Sequence, residues 1–278
     1  MVHFVPFPSG LYSLETPAVM GILNATPDSF YADGRAMHQA ALNKVDELIA
    51  DGADWVDVGG CSTRPGSTPP SPEEEWARIE PVLKHLAQNH PRIPISVDTY
   101  RAVVAQKSVE AGAGLINDVS AGLWDDAMIP TVARLRVPYA IMHHQGRPET
   151  MQQAPQYKNV VQDVFGFLAK RLEACREAGI QDILLDPGFG FGKTVEHNYR
   201  LLEQLPVFLA LHCPLLVGVS RKSMVYKPLE TTPENALNGT TALHAWALER
   251  GAHVLRVHDP APAKQVVDLH RILQSTRT

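Results

Sequence analysis

The chain has 278 residues, 25 lysines and arginines against 30 aspartates and glutamates, a formal net charge of −5 and 45% hydrophobic residues. That composition excludes a disordered or low-complexity chain, and the acidic balance speaks against a non-specific nucleic-acid binder, which needs a cationic face. No apolar run reaches the roughly 18 residues that a membrane span requires.

Residues 1–17 are expected to form a leading strand or hairpin, with one domain over residues 18–278. Residues 1–16 hold no lysine or arginine and no long apolar core, so a secretory signal is not expected. Apolar runs then recur at Ala18–Leu23, Trp55–Val58, Ile95–Val97, Leu115–Ile116 with Val119, Tyr139–Met142, Ile183–Leu185, Leu215–Val219 and Val254–Val257. Runs so nearly continuous in Val, Ile and Leu suit strands buried on both faces, hence a parallel sheet.

Helix-period stretches lie between them. Ala41, Val45, Leu48 and Ile49 form one stripe before Gly52. Ser71-Pro72-Glu73-Glu74 opens the next helix with a capping serine, a proline at the first helical position and a glutamate three residues after the cap. Trp76, Ile79, Leu83 and Leu86 follow at helical spacing, as do Val161, Val164, Leu168 and Leu172 before Gly179. A last helix is expected from Pro262 to about Gln274, with Val266, Leu269 and Leu273 inward. Eight strand–helix units predict a single (β/α)8 TIM barrel, with an open doubly wound sheet as the alternative.

Barrel chemistry sits where strands end. Those ends read Asn24-Ala25-Thr26-Pro27-Asp28, Gly59 to Gly66, Asp98-Thr99, Asn117-Asp118, Met142 to Gln145, Asp186 to Lys193, Ser220 to Ser223 and Arg256 to Asp259. Asp98, Asn117 and Asp186 suit a flat heterocycle with an amidine-like edge, because carboxylates accept two parallel N–H groups. Arg64, Arg221, Lys222, Arg256 and His258 supply positive charge, with Arg221, Lys222 and Arg256 after strands seven and eight, where barrels often hold phosphate. Asp118 is expected to be structural, since it alternates with an inward Asn117. Lys193 is expected to be a solvated residue at a helix start. The glycines from Gly188 to Gly192 are not a nucleotide phosphate loop, because Pro187 stands where that pattern needs glycine. They bring backbone close to a flat ligand, with Phe189 and Phe191 as stacking faces. Three scattered cysteines, Cys61, Cys175 and Cys213, make neither a disulfide framework nor a zinc site and fit a reduced, cytoplasmic compartment.

The strand-end motifs resemble those of the dihydropteroate synthases. Met20 to Phe30, Asp57 to Gly66, Ile95 to Thr99, Ile116 to Asp118, Leu185 to Lys193, Ser220 to Ser223 and Arg256 to Asp259 follow that family's order. The resemblance implies a transferase that joins p-aminobenzoate to 6-hydroxymethyl-7,8-dihydropterin diphosphate, yielding 7,8-dihydropteroate and diphosphate. It implies that Asp98, Asn117, Asp186 and Lys222 hold the pterin, with Met142 and Arg256 on its faces. Thr63, Arg64, Arg256 and His258 are implied to hold the diphosphate, and Asn24 to bind Mg²⁺ through its side-chain oxygen. Phe30, Pro65, Phe189 and Ser223 are implied to line the p-aminobenzoate pocket, near the N-terminus of the helix after strand seven. Lys222, Asp98, Asp186 and Arg256 are the implied catalytic set, and a homodimer the implied assembly. Cys61 departs from the pattern, standing where the family usually has glutamate. The rival readings are a methyltetrahydrofolate-dependent methyltransferase, which has no use for diphosphate-binding cations, and a non-catalytic pterin-binding homologue.

Overall fold

The computed structural model describes residues 2–26, 34–61, 68–146 and 155–276. Strands β1 (Phe4–Phe7) and β2 (Gly10–Ser13) pair as an antiparallel hairpin. Eight strands then pair in parallel: β3 (Ala18–Asn24), β4 (Trp55–Gly59), β5 (Ile95–Asp98), β6 (Leu115–Asp118), β7 (Tyr139–Met142), β8 (Ile183–Asp186), β9 (Leu216–Val217) and β10 (Val254–Val257). The hydrogen-bonded order runs β8-β7-β6-β5-β4-β3-β10-β9, and a parallel bridge between Leu185 and Leu215 joins the two ends. The sheet is thus a closed (β/α)8 barrel. The seventh barrel strand is only Leu216–Val217, shorter than its apolar run suggests.

The helices are α1 (Gly34–Ala50), α2 (Pro72–Asn89), α3 (Ala102–Glu110), α4 (Met128–Leu135), α5 (Val160–Glu177), α6 (Val195–Glu203), α7 (Ser223–Tyr226), α8 (Leu237–Glu249) and α9 (Pro260–Ser275). The capping box of α2 is formed: Glu74 N–H donates to Ser71 Oγ at 3.1 Å, and Ser71 N–H to Glu74 Oε2 at 2.8 Å. Helix stripes such as Val45, Leu48, Ile79 and Leu83 bury against the outward strand residues Val19, Leu23, Val56 and Val58. Fully burying each such side chain stabilises by about 1.5–3 kcal/mol.

One helix face differs from expectation. In α9 the buried residues are Pro260, Ala263, Val266 and Val267, whereas Leu269 and Leu273 are 68% and 47% exposed. The helix starts at Pro260 and turns its 260/263/267 ridge inward, which leaves Leu269 on the far side.

Alternation along the strands divides the barrel interior into two storeys. Ala18, Met20, Trp55, Leu115, Ala140, Leu184, Leu216 and Val254 form an apolar lower cluster, joined by Val5, Phe7 and Leu14 from the hairpin segment. The hairpin closes this end, and Tyr12 OH donates to the Arg92 carbonyl at 2.6 Å. Side chains two residues further along a strand share its face. The upper storey is therefore Asp57 above Trp55, Asn117 above Leu115, Met142 above Ala140, Asp186 above Leu184, Gly218 above Leu216 and Arg256 above Val254. An apolar floor under a polar ceiling is what positions the site.

Candidate active site

Arg256 is the centre of the upper storey. Its Nε donates to Asp57 Oδ2 at 2.6 Å and its Nη2 to Asp98 Oδ2 at 2.8 Å, so one guanidinium spans three strands. Asp57 is fully buried and also accepts from Ser96 Oγ at 2.6 Å and Asn117 Nδ2 at 3.1 Å. A buried carboxylate is tolerable only when paired and hydrogen-bonded, and Asp57 has both. This residue had no role in the sequence reading. Its signal was an aspartate inside the apolar run Trp55-Val56-Asp57-Val58, in phase with the inward Trp55.

Asp186 faces this cluster from β8. Gly188 N–H donates to its Oδ1 at 2.7 Å. Lys222 approaches from the loop after β9, donates to the Phe189 carbonyl at 2.6 Å and lies 4.8 Å from the Phe191 ring centroid. A Cβ on Gly218 would sit 3.5 Å from Lys222 Nζ and 3.9 Å from Arg256 Cβ, so that glycine makes room for two cations. Met142 is buried at the end of β7, in register with Asp186. His258 lies past β10, its Nδ1 3.1 Å from Ser220 Oγ. Asn24 ends β3; its Oδ1 lies 3.8 Å from where a Cβ on Gly59 would stand, and its side chain makes no hydrogen bond among the described residues.

Several expectations are corrected. The Phe189 ring is fully buried in the core, so it is not a stacking face or a wall of an open pocket; its carbonyl faces the site instead. Phe191, against Lys222, is the aromatic neighbour. Lys193 is buried, not solvated: its Nζ lies 2.9 Å from His143 Nδ1 and donates to the carbonyls of Gly188 at 2.7 Å and Phe191 at 3.0 Å. It ties the glycine loop to the end of β7. Arg221 does not face the anion side, because it grips Asp259 through two bonds of 2.8 Å and donates to the carbonyls of Pro233 and Glu234. Ser223 opens α7, but that helix is a single turn, too short for an appreciable dipole. Asp118 is structural as expected, accepting from Ser120, Gly122 and Tyr139. Thr63, Arg64, Phe30 and Pro65 lie outside the described residues. Cys61 is buried, and burial next to Glu75 pushes its thiol up to about 11.

The glycine loop is tightest at Gly188. Gly188 has φ +71°, and a Cβ there would stand 1.8 Å from the His143 carbonyl oxygen. Positive φ alone costs a non-glycine residue about 1–3 kcal/mol, and a backbone clash adds to that. Gly188→Ala is expected to lose at least about 2 kcal/mol in urea unfolding and to release the N–H that holds Asp186.

Electrostatics follow from burial. Burial, with Asp57 nearby, pushes Asp98 up to about 7 against the opposing pull of Arg256. Burial raises Asp186 too, against Lys222. Burial lowers Lys222 to about 8, although Asp186 resists. His258 is brought down to about 4 by burial and the Arg256 charge, so near pH 7 it is neutral, not a standing cation as the sequence suggested. Acids and bases here are poised near neutrality, as in sites where charge must change on binding.

A pterin binding enzyme family model matches residues 20–258. Dihydropteroate synthase of Escherichia coli (strain K12) is 42% identical over 95% of this chain and 93% of its own. The Neisseria meningitidis serogroup C dihydropteroate synthase is 45% identical over 88% and 89%. This chain belongs to the dihydropteroate synthase family of pterin-binding enzymes. Among solved members of that family, the Xanthomonas albilineans dihydropteroate synthase with 4-aminobenzoic acid superposes with a TM-score of 0.92 at 40% identity, covering 99% of both chains. The Yersinia pestis dihydropteroate synthase in a sulfonamide drug complex gives 0.93 at 38%, covering 98% of this chain and all of its own. The matched span, residues 20–258, runs from the first barrel strand to the residue after the last.

Proposed function

We propose that this chain condenses p-aminobenzoate with 6-hydroxymethyl-7,8-dihydropterin diphosphate to give 7,8-dihydropteroate and diphosphate. The observation that carries the reading is the meeting of Asp98, Asn117, Asp186, Lys222 and Arg256 above one apolar floor. Asp186, with one oxygen on a backbone N–H and the other available, takes the amidine-like edge of the pterin together with Asn117. Asp98 faces the same ring, while Arg256 and Met142 lie on its flat sides. Thr63, Arg64 and His258 take the diphosphate.

In the reaction the bond between the pterin methylene carbon and the diphosphate oxygen breaks, and its electron pair leaves with the diphosphate. The methylene cation is conjugated with the electron-rich dihydropterin and lies near Asp98 and Asp186, whose charge stabilises it. The neutral aniline nitrogen of p-aminobenzoate attacks and then loses a proton to water, so no strong base is needed. The displacement is SN1-like, and a trapped pterinyl–enzyme adduct would refute it. Mg²⁺, when bound, neutralises charge on the departing diphosphate. Asn24 fits such an ion, because it offers a hard neutral oxygen with no other partner among the described residues at the barrel mouth.

The pH dependence has a definite sign. Asp98 must be ionised to accept an N–H, so kcat/KM falls as pH drops through about 7. Lys222 must keep its proton, so kcat/KM falls again as pH rises through about 8. The expected profile for pterin diphosphate is a narrow bell, reporting the free enzyme.

The same reading includes a homodimer in the cytoplasm. Helix α8 exposes Trp246 on a helix that also buries Leu243, Ala247 and Leu248, and α9 exposes Leu269, Ile272 and Leu273. Adjacent apolar faces of this kind suit a second copy. Leu269→Glu with Leu273→Glu is expected to give monomers in sedimentation. None of the three cysteines is in a disulfide and all are buried, which suits a reducing compartment. No described helix is long and apolar enough to cross a membrane.

Incubation with both substrates and Mg²⁺ tests the activity. Dihydropteroate and diphosphate should appear in equal amounts. Methyl transfer from methyltetrahydrofolate, or tight pterin binding without turnover, would favour the rival readings instead.

A further inference from the structure

Away from the barrel mouth, three metal-ligating side chains meet between α1 and α2. His85 Nε2 lies 2.7 Å and His90 Nε2 2.8 Å from the same oxygen of Asp46, Oδ1. One donor atom from each of the three residues falls within 4.8 Å of the other two. The histidines are five residues apart, which on an unbroken helix would point them well away from each other. They meet because α2 ends at Asn89: His90 leaves the helix with φ −130° and ψ 53°, and its ring centroid comes to 5.8 Å from that of His85.

We propose that Asp46, His85 and His90 form a binding site for a divalent transition-metal ion of the Zn²⁺ or Co²⁺ kind, separate from the Mg²⁺ of the reaction. Two imidazole nitrogens and one carboxylate oxygen are the donors such borderline ions select, whereas Mg²⁺ prefers oxygen alone. A tetrahedral ion with bonds near 2.0 Å needs ligand atoms about 3.3 Å apart. The present spacing opens to that by roughly half an ångström, within reach of side-chain rotation. Each ring then carries its hydrogen on Nδ1. Asn89 lies beside that edge of the ring, its Nδ2 3.1 Å from His85 Nδ1 and donating to the His85 carbonyl at 3.2 Å. All three side chains remain partly exposed, the carboxylate most of all, which leaves a side open for water to complete the coordination.

The site's place in the fold defines its role. Asp46 is in the last turns of α1 and His90 precedes β5, so the cluster lies toward the N-terminal end of the barrel strands, opposite Asp98 and Asp186. An ion there clamps the ends of two helices and takes no part in the chemistry. Bound metal raises stability by mass action.

The test uses the untagged full chain, stripped with chelator and titrated with Co²⁺ in excess Mg²⁺. The expected result is one Co²⁺ per chain with the visible bands of mixed nitrogen and oxygen ligation, and a Tm that rises with Zn²⁺. His85→Ala and Asp46→Asn should each weaken Co²⁺ binding at least tenfold while dihydropteroate formation stays unchanged. Asp46→Asn keeps the size of the side chain and an oxygen for the histidines, so it separates loss of metal from loss of folding. No stoichiometric Co²⁺ on the wild type, or equal affinity in both folded variants, overturns the proposal.

Discussion

Replacing Arg256 by methionine is expected to cost about 3–5 kcal/mol of folding stability as well as activity, because it strands a buried carboxylate. Asp57 is fully buried and owes its charge compensation to Arg256 Nε at 2.6 Å. Ser96 and Asn117 would still donate to it, but neither carries charge. The double variant Arg256→Met with Asp57→Asn should therefore regain more than half of the lost stability while remaining inactive. Urea unfolding of the two variants and the wild type measures this. A double variant as unstable as the single one would mean that Arg256 stabilises through packing, not through the pair.

The second large effect falls on rate. Lys222→Met should lower kcat/KM for pterin diphosphate by about 10²–10³-fold, the usual loss when one preorganised charged donor is removed. Stability should fall by less than in Arg256→Met, because Lys222 makes one hydrogen bond, to the Phe189 carbonyl, and a ring contact with Phe191, and a lysine held down near 8 is costly to bury. The alkaline limb of the pH profile should vanish with the lysine. A retained limb near pH 8 would assign that titration elsewhere.

How far the sequence reaches is visible residue by residue. The barrel followed from eight apolar runs, and the α2 capping box could be read from four letters. Asp98, Asn117, Asp186, Lys222 and Arg256 could be placed together because strand ends in a barrel share one rim. What a strand-end rule cannot reveal is how those groups pair below the rim. Asp57 lies one pleat deeper than the strand end, and only knowing that Trp55 faces inward shows that Asp57 does too. Lys193 follows a glycine loop whose positive-φ turns fold it back onto the end of β7, a path that no periodicity encodes. Phe189 reads as a stacking ring beside glycines, yet the turn at Gly188 drives it into the core. Leu269 was misassigned because an apolar stripe through Val266, Leu269 and Leu273 fits helical spacing as well as the ridge that is buried, Pro260, Ala263, Val266 and Val267.

In the proposed function, one cluster above the barrel floor holds the pterin and the cations beside it hold the diphosphate. Calorimetric titration of 6-hydroxymethylpterin and, separately, of Mg²⁺-diphosphate into wild type and Asp186→Ala tests it most directly. The variant should lose pterin binding by at least tenfold, since a charged hydrogen-bond partner goes, and keep its diphosphate affinity within about twofold. Unchanged pterin affinity in a folded Asp186→Ala protein would place the pterin elsewhere than on this cluster.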